Sequence, residues 1–86
     1  LPPMPLRPRE RRLWDQWRGE VLQSAGASIA RDPKWKDAPP EIKEDVLRQV
    51  MATAGDAADE RIKGHIGNDE INRRMNEVMT RKRRAS

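Results

Sequence analysis

The chain has 86 residues, of which 35% are hydrophobic and 37% are charged, and it contains three Trp and no Phe, Tyr or Cys. This length allows one small domain at most, and the absence of cysteine excludes disulfides and thiolate metal sites. Aromatic and β-branched residues are too few for a β-sandwich, and no apolar run approaches the roughly 20 residues of a membrane span, which leaves contact with a membrane surface open.

The composition predicts an all-α protein with a thin core. A short chain buries a smaller fraction of its surface than a mid-sized domain does, and only neighbouring chains can compensate for that here. We therefore expect a subunit of a larger assembly. The chain begins with Leu1 instead of Met, as expected for a piece of a longer polypeptide, and its first residues lack the apolar core of a secretory leader.

The N-terminal region combines an extended arm with an amphipathic helix. Residues 1–8 contain four of the seven prolines, which favours an extended conformation over a helix. From Arg9 onward a helix over about 9–31 is predicted, because apolar residues recur every four positions. Asp32-Pro33 ends it, since the residue before a proline resists the α region. The apolar stripe consists of Leu13, Trp17, Val21, Ala25 and Ile29.

A second helix is predicted over about 39–63, after the connection DPKWKDAPP. Proline is tolerated in the first turn of a helix, where its missing N–H would have no partner, and Asp37 is the expected cap. Trp35 lies in the connection, and we expect its indole to plug the open end of the core that the two helices share. The apolar stripe consists of Ile42, Val46, Val50, Ala54 and Ala57, with Leu47, Met51, Ala58 and Ile62 beside it.

The C-terminal region predicts a shorter third helix and a basic tail. Gly64 and Gly67 are expected to interrupt the second helix, and Asn68 to cap a helix over about 68–80. One long helix running through Gly64 is the alternative. The sequence as a whole predicts an antiparallel helical hairpin plus a shorter third helix in residues 9–80. An extended Pro-rich arm (1–8) precedes them and a basic tail (81–86) follows them. The third apolar stripe contains Ile71, Met75, Val78 and Met79.

Charge is distributed unevenly along the chain, whose formal net charge is +4. Residues 41–60 hold two basic and six acidic side chains, whereas residues 61–86 hold eight basic and three acidic ones. The strongest feature is a basic run that can neutralise phosphates without reading bases, or attract an acidic protein surface. A solubilising tail is the alternative. The run consists of Arg81, Lys82, Arg83 and Arg84.

No catalytic, cofactor-binding or metal-binding constellation is visible in the sequence. His65 is the single histidine; Asp69 alone would be a weak companion ligand, and no nucleophile lies in an elbow or a glycine-rich turn. We therefore expect a protein that is not an enzyme and uses no cofactor. Trp14 and Trp17 lie among arginines, and their helical spacing favours helix packing over contact with bases or a membrane surface.

Residues 31–62 resemble a segment found near the ends of very large bacteriophage virion proteins, of the tape-measure and the internal core or DNA-ejection types. In that segment a helix is followed by a connection of the form (S/D)P-x-(W/Y)-x-x-(L/A)-P, then by (E/D)-x-K and by a helix of alternating alanine and charged residues. The matching positions are Asp32-Pro33, Trp35, Pro39, Glu41-Ile42-Lys43 and residues 54–58.

The resemblance implies a structural, non-enzymatic component of a virion, assembled in the host cytoplasm from subunits that pack through helices, with a homo-oligomer of this chain expected. Non-specific DNA is a further candidate partner. The alternative is a small helical nucleic-acid-binding or adaptor module that uses its basic ends. If the first two stripes face each other, the apolar positions left for partner chains are Trp14, Leu22, Met51, Met75 and Met79.

Overall fold

The computed structural model describes residues 4–85 of the chain, and the side chains of residues 4–83. Within that part the elements are three α-helices: α1 (Pro8–Arg31), α2 (Pro40–Ile66) and α3 (Asn68–Ala85). The predicted all-α class, with a helical hairpin and a third helix, is confirmed. The described residues extend over 53 × 29 × 18 Å, so the molecule is long and flat.

The first two helices run antiparallel. Trp14, near the start of α1, donates a hydrogen bond to Asp59, near the end of α2. Further along α1, Val21 and Ala25 line the same small cavity as Val50 of α2. This pairing order reverses the direction of the chain between the two helices, as the apolar stripes predict.

The helix ends follow from local chemistry. Pro8 occupies the first turn of α1, and the backbone N–H of Arg7 donates to Glu10 Oε1 (2.7 Å). The helix stops at Asp32, before Pro33, and the Asp32 carboxylate accepts the N–H of Lys34 (2.9 Å). Such a bond from an aspartate to the backbone two residues on is typical of a tight turn.

The predicted cap of α2 is wrong. Pro39, not Asp37, holds the N-cap position, and no side chain caps this end. Asp37 lies too early, because Pro40 takes the first helical position with its φ already fixed near the helical value.

The boundary between α2 and α3 also differs from the prediction. Gly64 does not interrupt α2, which continues to Ile66. The break lies at Gly67 alone, whose φ of 100° is a conformation that residues with a side chain rarely adopt. The N–H of Ile71 donates to the Gly67 carbonyl, so Gly67, and not Asn68, occupies the cap position of α3.

The basic C-terminal region is helical, not a separate tail. α3 extends to Ala85, past the predicted end at residue 80. Arginine and lysine are good helix formers, and cations near the last turn interact favourably with the negative end of the helix dipole.

The core is small. The buried hydrophobic residues of the described part are Ala54, Ala58, Ile62 and Ile71. The three on α2, Ala54, Ala58 and Ile62, recur every four positions. The predicted stripe is partly wrong, because Ala57 is exposed and Ile42 is 51% exposed. Ala57 is one residue out of register, whereas Ile42 lies in the first turn of α2, at the turn end of the hairpin.

Candidate interaction surfaces

An ion-pair junction ties the start of α1 to α3. Arg74 makes two hydrogen bonds to the Glu10 carboxylate, at 2.7 Å from Nη1 and 3.2 Å from Nη2. Its Nε donates to Glu70 (3.0 Å), and Nη1 also donates to the carbonyl of Pro5 (3.3 Å). The Arg74 side chain is only 11% exposed. The junction therefore fixes α3 across the end of the hairpin where α1 begins.

The same junction holds its carboxylates in the charged form. Hydrogen bonds from Arg73, and then from Arg74, lower the pKa of Glu70 from 4.5 to about 2. The hydrogen bond from Arg74 is also the main reason why the pKa of Glu10 is lowered. Sequence reasoning missed this junction, since Glu10 and Arg74 lie 64 residues apart and no local pattern pairs them.

The N-terminal arm packs on this junction. Residues 4–7 have no regular structure, as predicted, while Pro8 already belongs to α1. Met4, Pro5 and Leu6 are half-buried. Residues 1–3 of the predicted arm lie outside the described residues. That the arm follows a neighbouring subunit stays a prediction.

Two tryptophans of α1 lie in a cluster of cations. The Trp14 indole N–H donates to Asp59 Oδ1 (2.8 Å), and the guanidinium of Arg11 lies 4.8 Å from the ring centroid. Trp17 meets His65 edge to face at 5.9 Å. Trp14 is therefore part of the hairpin's own interface. Its polar N–H finds an acceptor on α2, and the contact of Trp14 with a partner chain stays a prediction.

The other positions predicted to contact partners differ in exposure. Leu22 and Met75 are half-buried, while Met51 is 48% and Met79 is 47% exposed. Two further apolar side chains, Ile42 and Leu47, are also exposed. The sequence analysis places Ile42 in the stripe that faces α1 and Leu47 beside it, and it names neither as a partner contact. We define the uncovered apolar surface as the four large side chains that remain about half exposed: Ile42, Leu47, Met51 and Met79.

Trp35 lies in the turn between α1 and α2. It is half-buried, its backbone N–H donates to the Asp32 carbonyl (3.1 Å), and the ammonium of Lys43 lies 5.7 Å from the ring centroid. Its neighbours Lys34 and Lys36 are exposed. The ring thus covers the turn end of the hairpin only in part.

The predicted nucleic-acid or acidic-partner contact lies on the last turns of α3. Arg81, Lys82 and Arg83 are exposed there. Arg84 belongs to the same helix, but its side chain lies outside the described residues. Their contact with a partner stays a prediction.

A pocket of about 540 Å³ opens at the first turns of α1. Its lining includes three arginines, Arg7, Arg9 and Arg12, and also His65 at the end of α2; we call these four residues the arginine pocket. Glu10 is the acidic residue of its lining, and its carboxylate is already bonded to Arg74. The sequence signal for this pocket is the arginine-rich segment at the start of the first predicted helix.

Within the described residues, no group of three or more His, Cys, Asp and Glu side chains is arranged to hold a metal ion. None of the helices in that part is long and apolar enough to cross a membrane. His65 is exposed and faces Trp17.

Comparison with protein-family models, with curated proteins and with solved structures finds no match to this chain.

Proposed function

We propose that this chain is a structural, non-enzymatic helical segment that assembles by packing its helices against further copies of itself. The observation that carries the proposal is the mismatch between core and surface. Among the described residues the buried core is two alanines and two isoleucines, whereas the four side chains of the uncovered apolar surface are about half exposed. Removing apolar area from water contributes about 25 cal/mol per Å², from which the entropy cost of association is subtracted.

The charge distribution supports copies of the same chain as partners. Residues 41–60 carry a net charge of −4 (two basic and six acidic) and residues 61–86 carry +5 (eight basic and three acidic). Residues 68–85, which form α3, hold six basic and three acidic side chains, a net charge of +3. The acidic part of α2 in one copy therefore complements the basic α3 of another. Such opposite-charge contacts guide orientation and rate of association more than they add affinity.

The resemblance of residues 31–62 to virion proteins supports a specific setting for this assembly. In that setting the chain is part of a tape-measure-like or internal core protein, located in the virion after assembly in the host cytoplasm. The helical hairpin then supplies packing surfaces, and no reaction is required of it.

The test is the oligomeric state of the chain against concentration, by analytical ultracentrifugation. We expect reversible self-association, and we expect Met51→Glu to raise the dissociation constant at least about tenfold, because a charge in an apolar contact costs more than about 1.4 kcal/mol. Ala52→Glu is the matched control. It adds the same charge at the adjacent exposed position, about 100° around the helix, and should leave association nearly unchanged. A monomer at every concentration, with normal helicity, contradicts the proposal.

A further inference from the structure

We propose that the arginine pocket binds the phosphate backbone of double-stranded DNA, without reading its sequence. This goes beyond self-assembly, since the pocket lies at the start of α1 and includes no residue of the uncovered apolar surface. The proposed contact is electrostatic and involves no chemical step.

The three guanidinium groups of the pocket are among the cations of the described residues that no carboxylate neutralises. Arg11, Arg48, Arg61, Arg73 and Arg74 each lie within 4 Å of a carboxylate, in ion pairs of 2.6–3.5 Å. Among the described residues, no such pair involves the guanidinium of Arg7, Arg9 or Arg12. The nearby Glu10 carboxylate accepts hydrogen bonds from Arg74 and from the Arg7 backbone. Its charge is therefore balanced by Arg74, and the three guanidinium groups are left for a ligand.

The type of cation points to phosphate. A guanidinium group presents a planar fork of donors that matches two phosphate oxygens, and arginine is the residue preferred where such bidentate contacts are made. The three arginines line a concave space of about 540 Å³. Arg7 holds the N-cap position of α1, and Arg9 and Arg12 lie on its first turns. The positive end of that helix dipole adds to the attraction for an anion.

A DNA duplex fits the arrangement better than a single strand. Binding of single strands depends on stacking of bases on aromatic rings. The nearby rings are already in contact with other side chains: Arg11 lies over Trp14, and Trp17 has Arg61 at 4.6 Å from its centroid and meets His65 in a T-shaped pair. A duplex needs no ring and presents one negative charge per roughly 1.7 Å of its axis. Several phosphates therefore lie within reach of one cluster of arginines.

The experiment measures binding of the whole chain to a short labelled DNA duplex by fluorescence anisotropy, over a series of salt concentrations. The pocket variant carries Arg7→Gln, Arg9→Gln and Arg12→Gln together. Its matched control carries Arg31→Gln, Lys34→Gln and Lys36→Gln, which removes the same charge from exposed residues at the opposite end of the hairpin. Circular dichroism confirms that both variants retain their helices.

We expect the unaltered chain to bind, and the pocket variant to lose at least about tenfold in affinity. Its salt slope should fall by about 2–3, since each neutralised phosphate contributes about 0.9. The control should retain both the affinity and the slope. The proposal is overturned if the two variants lose affinity for the duplex equally. It is also overturned if affinity falls only when Arg81, Lys82 and Arg83 are replaced. So does polyglutamate that competes as well as unlabelled duplex, because the pocket would then attract any polyanion.

Discussion

At the scale of single residues, Arg74 shows how a few polar contacts supplement a small core. Its guanidinium joins the arm, α1 and α3 through four acceptor contacts to Glu10, Glu70 and Pro5. Charge-assisted, bidentate bonds of this kind are stronger than neutral ones and fix geometry as well as distance. Arg73, by contrast, pairs with Glu70 and Glu77 within its own helix, and so it stabilises α3 without positioning it.

Trp35→Ala should destabilise the protein by about 1–3 kcal/mol, less than the roughly 3–5 kcal/mol lost with a fully buried tryptophan. The reason is that the ring is only half-buried and keeps one cationic neighbour, Lys43, over its face. Urea unfolding followed by helicity measures the loss. Lys34→Ala, in the same turn and exposed, is the control and should change little. A loss equal to that of the control would show that Trp35 covers nothing.

The sequence predicts the positions of some single residues correctly but not their contacts with distant residues. It placed Trp35 in the turn correctly and identified Met51 and Met79 as uncovered, because periodicity shows which side of a helix a residue occupies. It could not find the bond between Arg74 and Glu10 or the one between Trp14 and Asp59, since each joins residues from distant helices. Such contacts depend on how helices cross, which a local pattern does not encode.

At the scale of the helices, the sequence predicted each element but not every boundary. The period of the apolar residues located α1, α2 and α3, and Pro33 correctly marked the end of α1. Gly64 was misjudged because glycine in a helix costs only about 1 kcal/mol, which 27 residues of α2 absorb. Gly67 ends the helix because its backbone adopts a positive φ. Glycine allows this conformation but also adopts the helical one, so the residue type alone does not identify the break.

The two glycines give a matched pair of substitutions. Gly67→Ala should destabilise the protein by about 1–2 kcal/mol, because an alanine at φ of 100° is strained even where space is open. Gly64→Ala should stabilise it by about 0.5–1 kcal/mol, since the position is helical and an added Cβ meets nothing within 4 Å. Thermal unfolding monitored by circular dichroism distinguishes the two signs. Stabilisation by both substitutions would place the break between α2 and α3 elsewhere.

At the scale of the whole molecule, the hairpin and α3 are held together by different forces. α1 and α2 are packed along much of their length, whereas α3 is fixed at one end, through Ile71 in the core and Arg74 at the junction. Elements with few buried contacts open at lower free energy than the rest of a protein. The arrangement therefore predicts that α3 detaches before the hairpin unfolds.

Acid should release α3 first. The pKa of Glu70 is lowered from 4.5 to about 2 in the folded chain. Its contribution to stability is therefore complete above pH 4.5 and is lost as the pH falls toward 2. Glu10, with its pKa also lowered, acts in the same direction. Amide hydrogen exchange at pH 5 and at pH 3 should show α3 losing protection before α2.

Glu70→Gln is the control for the acid effect. It removes the titrating group that Arg73 and Arg74 hold charged. In this variant the loss of hydrogen-exchange protection of α3 between pH 5 and pH 3 should therefore be smaller. An unchanged pH dependence would assign the effect to other carboxylates and would contradict the role of the junction.

The short turn between α1 and α2 has a kinetic consequence. Residues 32–39 are all that must close before the two longest helices meet, and loops of about ten residues close within about 10–100 ns. Helical folds with such local connections reach the native state in microseconds to milliseconds. After a temperature jump, tryptophan fluorescence of the dilute chain should therefore relax within milliseconds. A dominant relaxation over seconds would mean that the hairpin does not form on its own, and that the speed of folding is set by the meeting of separate chains.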